Sequence, residues 1–237
     1  MSWKVIVAPD SQIEYHLREL EVALDPASPG HALPDFRQDD RSILDIGCGI
    51  GQSLIIRGDD SECLRVGIDV DMQSLAYGHR HYPHICHVLA SAEALPFRSE
   101  AFDLVMSRVA LPYTDLRASL PEIARVSAPG GRIWLSLHSF GRIARHLLDS
   151  IKAGAWKDVL FRFYVIANGA AFHFFGAQLR FPWKSRCESF QTRSGFRRTL
   201  RRLGFIDVCF PQGRHFLCTA NKPGRITLTR ASAASAA

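Results

Sequence analysis

The segment ILDIGCGIGQS, residues 43–53, constrains the fold more than any other part of the chain. A short apolar run leads directly into three glycines at alternate positions, Gly47, Gly49 and Gly51. A glycine-rich turn between a strand and a helix lets the backbone approach a ligand closely. The segment therefore predicts a buried strand, a ligand-binding turn, and a helix that begins near Gly51.

Strand-like and helical segments alternate after this turn, which indicates βαβ units and a mainly parallel sheet. Such sheets bind ligands at the carboxyl ends of their strands. The last two strands lie close enough in sequence to pair antiparallel. Strands are predicted at 42–46, 63–69, 84–90, 101–110, 132–138, 205–210 and 215–221, and a PGG turn is predicted at 129–131.

The 237 residues accommodate one large α/β domain, which we expect to span residues 1–220. Residues 1–41 are predicted to form an N-terminal helix and a linker. Ser11 and Glu14 have the spacing of a capping box at the start of that helix. Residues 221–237 end in ASAASAA and are expected to be a flexible tail.

Residues 139–190 break the alternating pattern and are rich in aromatic side chains. An uncharged stretch lies between Arg162 and Arg180, at the short edge of a membrane span, and Asn168 and His173 interrupt it. We therefore expect a helical lid over an apolar pocket, with peripheral contact to a membrane surface as a lesser alternative.

The basic residues are unevenly placed in a chain of net charge +6. Five arginines cluster in 193–202, where a helix is predicted. One interpretation is a site for phosphate or nucleic acid; the favoured one is a solvated helix face with Phe196, Leu200 and Leu203 turned to the core. Nucleic acid is thus not the expected partner.

Cysteine and histidine usage indicates neither disulfides nor a metal. The six cysteines contain no C-x-x-C pair, and the brief apolar start of the chain is too short for a secretory signal, so we expect reduced thiols in the cytoplasm. Four histidines in GHRHYPHICH straddle a predicted helix end, a proline and a strand, so no single face presents them together. They are His79, His81, His84 and His87.

Two ligand classes fit a glycine turn of this kind. A dinucleotide site typically carries a third glycine at the position of Gln52, and its pyrophosphate would be repelled by Asp45 at the strand tip. An ammonium group or a sulfonium-bearing amino acid, as in S-adenosylmethionine, would be attracted instead. Asp69, at the end of the second strand, could accept hydrogen bonds from ribose hydroxyls of either ligand.

Four ordered blocks carry a family resemblance over residues 42–138: ILDIGCGIGQS, VGIDVD, SAEALPFRSEAFDLVMSRVAL and LPEIARVSAPGGRIWLS. In order and spacing they resemble class I S-adenosylmethionine-dependent methyltransferases, within the group that includes the ubiquinone- and menaquinone-biosynthesis type enzymes. The resemblance implies an α/β, Rossmann-like, doubly wound sheet of seven strands. That sheet is mostly parallel with the last strand antiparallel, and the helical insert lies between strands five and six.

The resemblance also implies S-adenosylmethionine as cofactor and a small-molecule acceptor, which the apolar insert suggests is apolar or aromatic. The implied contacts fall into a methionine end, a ribose and adenosine region, an adenine region, and a methyl-donating end. In that order they are Asp45, Gly47, Cys48, Gly49 and Gly51; Asp69, Val70 and Asp71; Ala92 and Glu93; Ser107 and Arg108.

The chain departs from this family pattern at two positions. Ser91 stands where relatives often have an acid, and Pro112 stands where relatives often have a histidine. If an acceptor must lose a proton, candidates for the base are Tyr113, His138 and His173. Alternatives are a catalytically silent cofactor-binding protein, an RNA-directed methyltransferase using the arginine-rich helix, and a NAD(P)-dependent oxidoreductase.

Overall fold

The computed structural model describes residues 9–58, 62–108, 110–179 and 187–225. Seven strands in these ranges form one sheet in the order β3-β2-β1-β4-β5-β7-β6, with β7 antiparallel to both of its neighbours. The strands are β1 (Ser42–Ile46), β2 (Leu64–Asp69), β3 (Cys86–Leu89), β4 (Phe102–Arg108), β5 (Ser127–Ser136), β6 (Ile206–Cys209) and β7 (Leu217–Asn221). The helices are α1 (Pro9–Leu24), α2 (Gln52–Ile56), α3 (Met72–His81), α4 (Leu116–Val126), α5 (Phe140–Lys152), α6 (Trp156–Phe175) and α7 (Arg193–Arg202). The doubly wound, Rossmann-like fold expected from the sequence is confirmed.

The central strands β1 and β4 are buried on both faces, which explains why their sequences are almost continuously apolar. Successive side chains of a strand point to opposite faces. Ile43 and Leu104 accordingly belong to one hydrophobic cluster, whereas Leu44 and Val105 belong to a larger cluster on the other face. The sheet therefore lies between two hydrophobic layers.

Three details of the predicted elements are wrong. Residues 128–131 do not turn the chain, because β5 runs through them with a bulge opposite Phe102 and Leu104. The third strand is limited to Cys86–Leu89. The first helix begins at Pro9, ahead of Ser11, so the expected capping box does not start it.

The insertion after β5 is helical, as expected. Its helices α5 and α6 pack against each other, and Ile143 and Val165 form a small hydrophobic cluster with Phe190. Gly169 lets α6 approach Phe190 closely, since a Cβ at this position would overlap the phenyl ring. No helix among the described residues is both long and apolar enough to cross a membrane.

The domain limits from the sequence stay a prediction. The sheet extends from Ser42 to Asn221, and Lys222 still donates a backbone hydrogen bond to Gly131. Most of the expected tail, residues 226–237, lies outside the described residues.

Candidate cofactor site at the glycine turn

The glycine turn uses its backbone donors within the protein. The N–H groups of Gly47 and Cys48 donate to the carbonyl of Ile68 at 2.8 and 2.9 Å, and that of Gly51 donates to Cys48 at 2.8 Å. The three glycines have positive φ angles of 75°, 56° and 93°, a conformation that disfavours other residues. The tight turn is thus stabilised by contacts between β1 and β2, and it leaves these N–H groups unavailable to a phosphate.

Asp45 presents an unsatisfied acceptor at the tip of β1. The side chain is buried, and its Oδ1 atom has no hydrogen-bond partner among the described residues, while Ser53 donates to the same carboxyl group. Burial raises the pKa of Asp45 from 3.8 to about 7, although the nearby Arg108 guanidinium acts in the opposite direction. A buried carboxylate oxygen without a donor is costly unless a ligand supplies one.

Asp69 lies beside the turn at the end of β2. One carboxylate oxygen, Oδ2, accepts from the N–H of Gly49 at 2.8 Å, and Oδ1 accepts from the N–H of Asp71 at 3.0 Å. Each oxygen can accept a further hydrogen bond. Asp71 has a different role, because its side chain caps α3 by accepting hydrogen bonds from the backbone N–H groups of Gln73 and Ser74. Val70 is exposed between them.

Helix α1 covers the turn, which no pattern in the sequence predicted. The ring of His16 lies where a Cβ of Gly49 would be, and its Nδ1 is 2.8 Å from Nε2 of Gln52. Glu19 forms an ion pair with Arg108 at 2.7 Å. Apolar spacing predicted the helix but not the partners of its polar face, because those contacts are set by the tertiary fold.

His16 is hydrogen-bonded to Gln52 in this position. Burial lowers the pKa of His16, although the charges of Asp69 and Asp71 partly oppose that shift. Because an amide nitrogen donates, Nδ1 of His16 accepts from Gln52, and the ring proton is on Nε2. Together with Asp45 and Asp69, the described part of the site is rich in acceptors.

The residues expected beside the adenine and the methyl-donating end divide between two roles. Ala92 packs in the main core, and Ser107 is fully buried and donates to the carbonyl of Ile46 at 3.0 Å. Both side chains therefore support the sheet. Glu93 accepts from the N–H of Asp115 at 2.9 Å and from the hydroxyl of Ser91. The serine that replaces the family's acid is thus paired with an acid two residues later.

The three base candidates do not share one position. The rings of Tyr113 and His138 meet edge to face with centroids 5.2 Å apart, in the segments that follow β4 and β5. His138 is buried, and Tyr113 is partly exposed. His173 lies elsewhere, because its Nδ1 contacts Oγ1 of Thr192, the N-cap residue of α7, at 2.6 Å. His173, in the last turn of α6, therefore packs against the start of α7.

Other groups singled out in the sequence have structural partners. His87 lies 3.2 Å from the carbonyl of Ile50 through Nε2, and burial raises the pKa of the Cys48 thiol well above its usual range. No cluster of three potential metal ligands occurs in the described ranges. In α7, Arg197 stacks on Phe210 and Arg198 donates to the carbonyl of His173.

The sheet order, the antiparallel β7 and the acids at the tips of β1 and β2 define a Rossmann-like methyltransferase fold. Residues 44–135 match a family model described as a methyltransferase domain. The chain is 38% identical over 120 residues to malonyl-acyl-carrier protein O-methyltransferase of Salmonella typhimurium, covering 50% of this chain and 45% of that protein. It is 36% identical over 98 residues to the uncharacterized methyltransferase YodH of Bacillus subtilis, covering 40% and 42%.

A solved structure supports the same fold over most of the chain. A SAM-dependent methyltransferase from Methanosarcina mazei aligns with a TM-score of 0.53 and 18% identity, over 81% of this chain and 96% of that one. Residues 44–135 therefore match a methyltransferase domain, within a chain that has the Rossmann-like fold of S-adenosylmethionine-dependent methyltransferases. In the curated alignments described above, this chain spans less than half of each relative's length.

Proposed function

We propose that this protein transfers the methyl group of S-adenosylmethionine to a small acceptor with an apolar or aromatic body. The observation that carries the proposal is the unsatisfied Oδ1 of buried Asp45 beside a turn whose N–H groups donate internally. Such a site favours a ligand that brings hydrogen-bond donors and positive charge. It disfavours the pyrophosphate of a nicotinamide dinucleotide, which needs free backbone donors.

The residues present fit this cofactor. Asp45 would hold the ammonium group, and the remaining acceptor positions of Asp69 would hold ribose hydroxyls. When bound, the cofactor supplies a methyl group already activated by the sulfonium. The chain's own task is to orient the acceptor and exclude water, and α1 contributes by closing over Gly49 through His16.

Aromatic side chains near the ends of β4 and β5 support an apolar or aromatic acceptor. Tyr15 of α1, Tyr113 and Phe140 are each exposed by more than a third despite their size. Phe140 lies edge to face with Phe190, with ring centroids 5.2 Å apart. Exposed aromatic rings next to a covered cofactor turn are suited to contact a flat or apolar ligand.

A phenolic or carbon-acid acceptor must lose a proton, and the Tyr113–His138 pair would be the group to receive it. His173 is less suited to this role, because it contacts the N-cap of α7.

A carboxylate acceptor is the second candidate, and it needs no base. The charges of Arg108 and Arg142 both act on Tyr15, so two guanidinium groups lie near this ring. Arginine pairs well with carboxylates. The relative from Salmonella typhimurium is named for O-methylation of a malonyl group, so a malonyl thioester belongs in the acceptor screen.

Calorimetric titration with S-adenosylhomocysteine, and separately with NADH, tests the cofactor assignment. Asp69→Asn should weaken the binding of S-adenosylhomocysteine by roughly 10- to 100-fold, because hydrogen bonds to a charged group are lost. Asp207→Asn, on exposed β6 at the far edge of the sheet, is the matched control and should bind like the wild type. A folded wild-type protein that fails to bind S-adenosylhomocysteine would refute the proposal, and binding of NADH alone would favour an oxidoreductase.

A second experiment separates an enzyme from a silent binding protein. Transfer of labelled methyl from S-adenosylmethionine is measured with phenols, aromatic amines, malonyl thioesters and RNA. Transfer to a phenol or an amine supports the first proposal, and transfer to a malonyl thioester supports the second candidate. Tight cofactor binding without transfer to any acceptor class would support the silent alternative, and transfer to RNA would direct attention to α7.

A further inference from the structure

The tip of the α5–α6 hairpin exposes a set of large apolar side chains, here called the hairpin face. Leu148 and Ile151 lie in the last turns of α5 and are 57% and 53% exposed. On α6, Trp156, Leu160 and Phe163 are 63%, 60% and 54% exposed. Their spacing of i, i+4 and i+7 places the three on one side of the helix.

These side chains are not needed to hold the hairpin on the protein. Ile143, Val165 and Phe190 form the packed cluster beneath it, and Arg162 turns inward to pair with Glu188 at 3.4 Å. The hairpin face is therefore a second apolar surface directed away from the core. Contiguous exposed apolar surface of this kind typically marks an interaction site.

The charge around the hairpin face identifies its occupant. Residues 139–179 contain five arginine or lysine residues and two acidic residues, Asp149 and Asp158. Arg162 is paired with Glu188, and the remaining four basic residues still outnumber the two acids. Lys152 and Lys157 lie next to the exposed apolar residues, and the Lys157 ammonium is 5.5 Å from the centroid of the Trp156 ring. Two copies of the chain docked through this face would bring like charges together. An anionic lipid surface complements the lysines and also accepts apolar side chains.

We propose that the hairpin face docks this protein onto the surface of an anionic lipid bilayer. Leu148, Ile151, Leu160 and Phe163 enter the boundary between headgroups and acyl chains. Trp156 lies at the interface, where tryptophan is favoured, and Lys152 and Lys157 contact lipid phosphates. The contact is peripheral, because no helix in the described ranges can span the bilayer.

Vesicle co-sedimentation of the full chain tests this surface. The protein should bind vesicles of phosphatidylcholine mixed with phosphatidylglycerol at least tenfold more tightly than vesicles of phosphatidylcholine alone. Leu160→Ser combined with Phe163→Ser should reduce that binding at least tenfold, since each side chain loses its apolar burial. Leu64→Ser is the matched control, because this exposed leucine at the start of β2 lies outside the hairpin. It should bind as the wild type does.

Tryptophan fluorescence gives an independent readout. Emission should shift to shorter wavelength when anionic vesicles are added, and Trp156→Phe should remove most of the shift while preserving sedimentation. Charge reversal at Lys152 and Lys157 should abolish the preference for anionic lipid. Urea unfolding shows that each variant is folded whether or not the protein binds S-adenosylhomocysteine, which separates this test from that of the proposed activity.

Three results would overturn the proposal. The first is a wild-type protein that ignores anionic vesicles, and the second is a serine double variant that binds them as tightly as the wild type. The third is a stable dimer in light scattering that the same two serine substitutions dissociate, which would assign the face to a second copy of the chain.

Discussion

Ligand binding at Asp45 should be linked to a proton. Because the pKa is raised to about 7, a larger fraction of the unliganded protein carries a proton on this carboxyl group at pH 6 than at pH 8. An ammonium group beside Oδ1 favours the ionised form, so binding must release that proton. We therefore expect ligand binding to release more protons at pH 6 than at pH 8, with burial of Asp45 as the cause.

Calorimetry measures this number directly. The binding enthalpy of S-adenosylhomocysteine is determined at pH 6 in two buffers of different ionisation enthalpy, and the difference gives the protons released. Asp45→Asn should bind more weakly and show no release attributable to this group. Asp207→Asn, exposed on β6, should release as much as the wild type. Equal release by the wild type and Asp45→Asn would refute the role given to Asp45.

The same shift makes a prediction about stability without ligand. The pKa of Asp45 is higher in the folded state than the unfolded value near 3.8. The contribution of this carboxyl group to the free energy of unfolding is therefore fully present below pH 4 and is lost as the pH rises through 7. The loss amounts to roughly 4 kcal/mol at most. Urea unfolding of wild type and Asp45→Asn from pH 4 to 8 should give a difference in free energy of unfolding that falls across this range. A flat difference would contradict the raised pKa.

Two glycine substitutions test the packing around the site and the insertion. Gly49→Ala should lower the free energy of unfolding by roughly 2–4 kcal/mol, because Gly49 has a left-handed backbone at φ 56° and its new Cβ would overlap His16. Gly154→Ala, at φ 65° and with no described atom within 4 Å, should lower it by only about 1–2 kcal/mol. Equal losses in urea unfolding would exclude the overlap with His16. Gly169→Ala should be destabilising by roughly 1–2 kcal/mol despite the helix preference of alanine, because the new methyl group meets the Phe190 ring; a stabilised variant in the same assay would show that α6 can shift away.

The alternation of strand-like and helical segments in the sequence was sufficient to predict the sheet, because each strand is a short apolar run and each following helix begins at a recognisable turn. The PGG segment was wrongly predicted as a turn, because glycine and proline occur in β-bulges as well as in turns. Only the pairing of β5 with Phe102 and Leu104 shows that this segment is a bulge. Gly131 is closely surrounded there, since a Cβ would lie 2.9 Å from the carbonyl oxygens of Ala128 and Asp103. Such crowding depends on a neighbouring strand and has no local signature.

The site was predictable where chemistry follows directly from chain position. Asp45 and Asp69 lie at strand tips, and that placement follows from the strands themselves. Ala92 packs in the core and Ser107 bonds a neighbouring strand, and their contact with the cofactor stays a prediction. His16 could not be found, because a lone histidine on a polar helix face carries no pattern that points to a glycine far along the chain.

The position of α1 has a consequence for the timing of ligand exchange. His16 lies over the glycine turn, and Glu19 is paired with Arg108, which acts on Asp45. We therefore predict that a ligand held by Asp45 and Asp69 enters and leaves when this helix moves, so that association and release share one opening step. Breaking the Glu19–Arg108 ion pair with Glu19→Gln should accelerate both the association and the release of S-adenosylhomocysteine in stopped-flow experiments, while leaving the ratio of the two rates nearly constant.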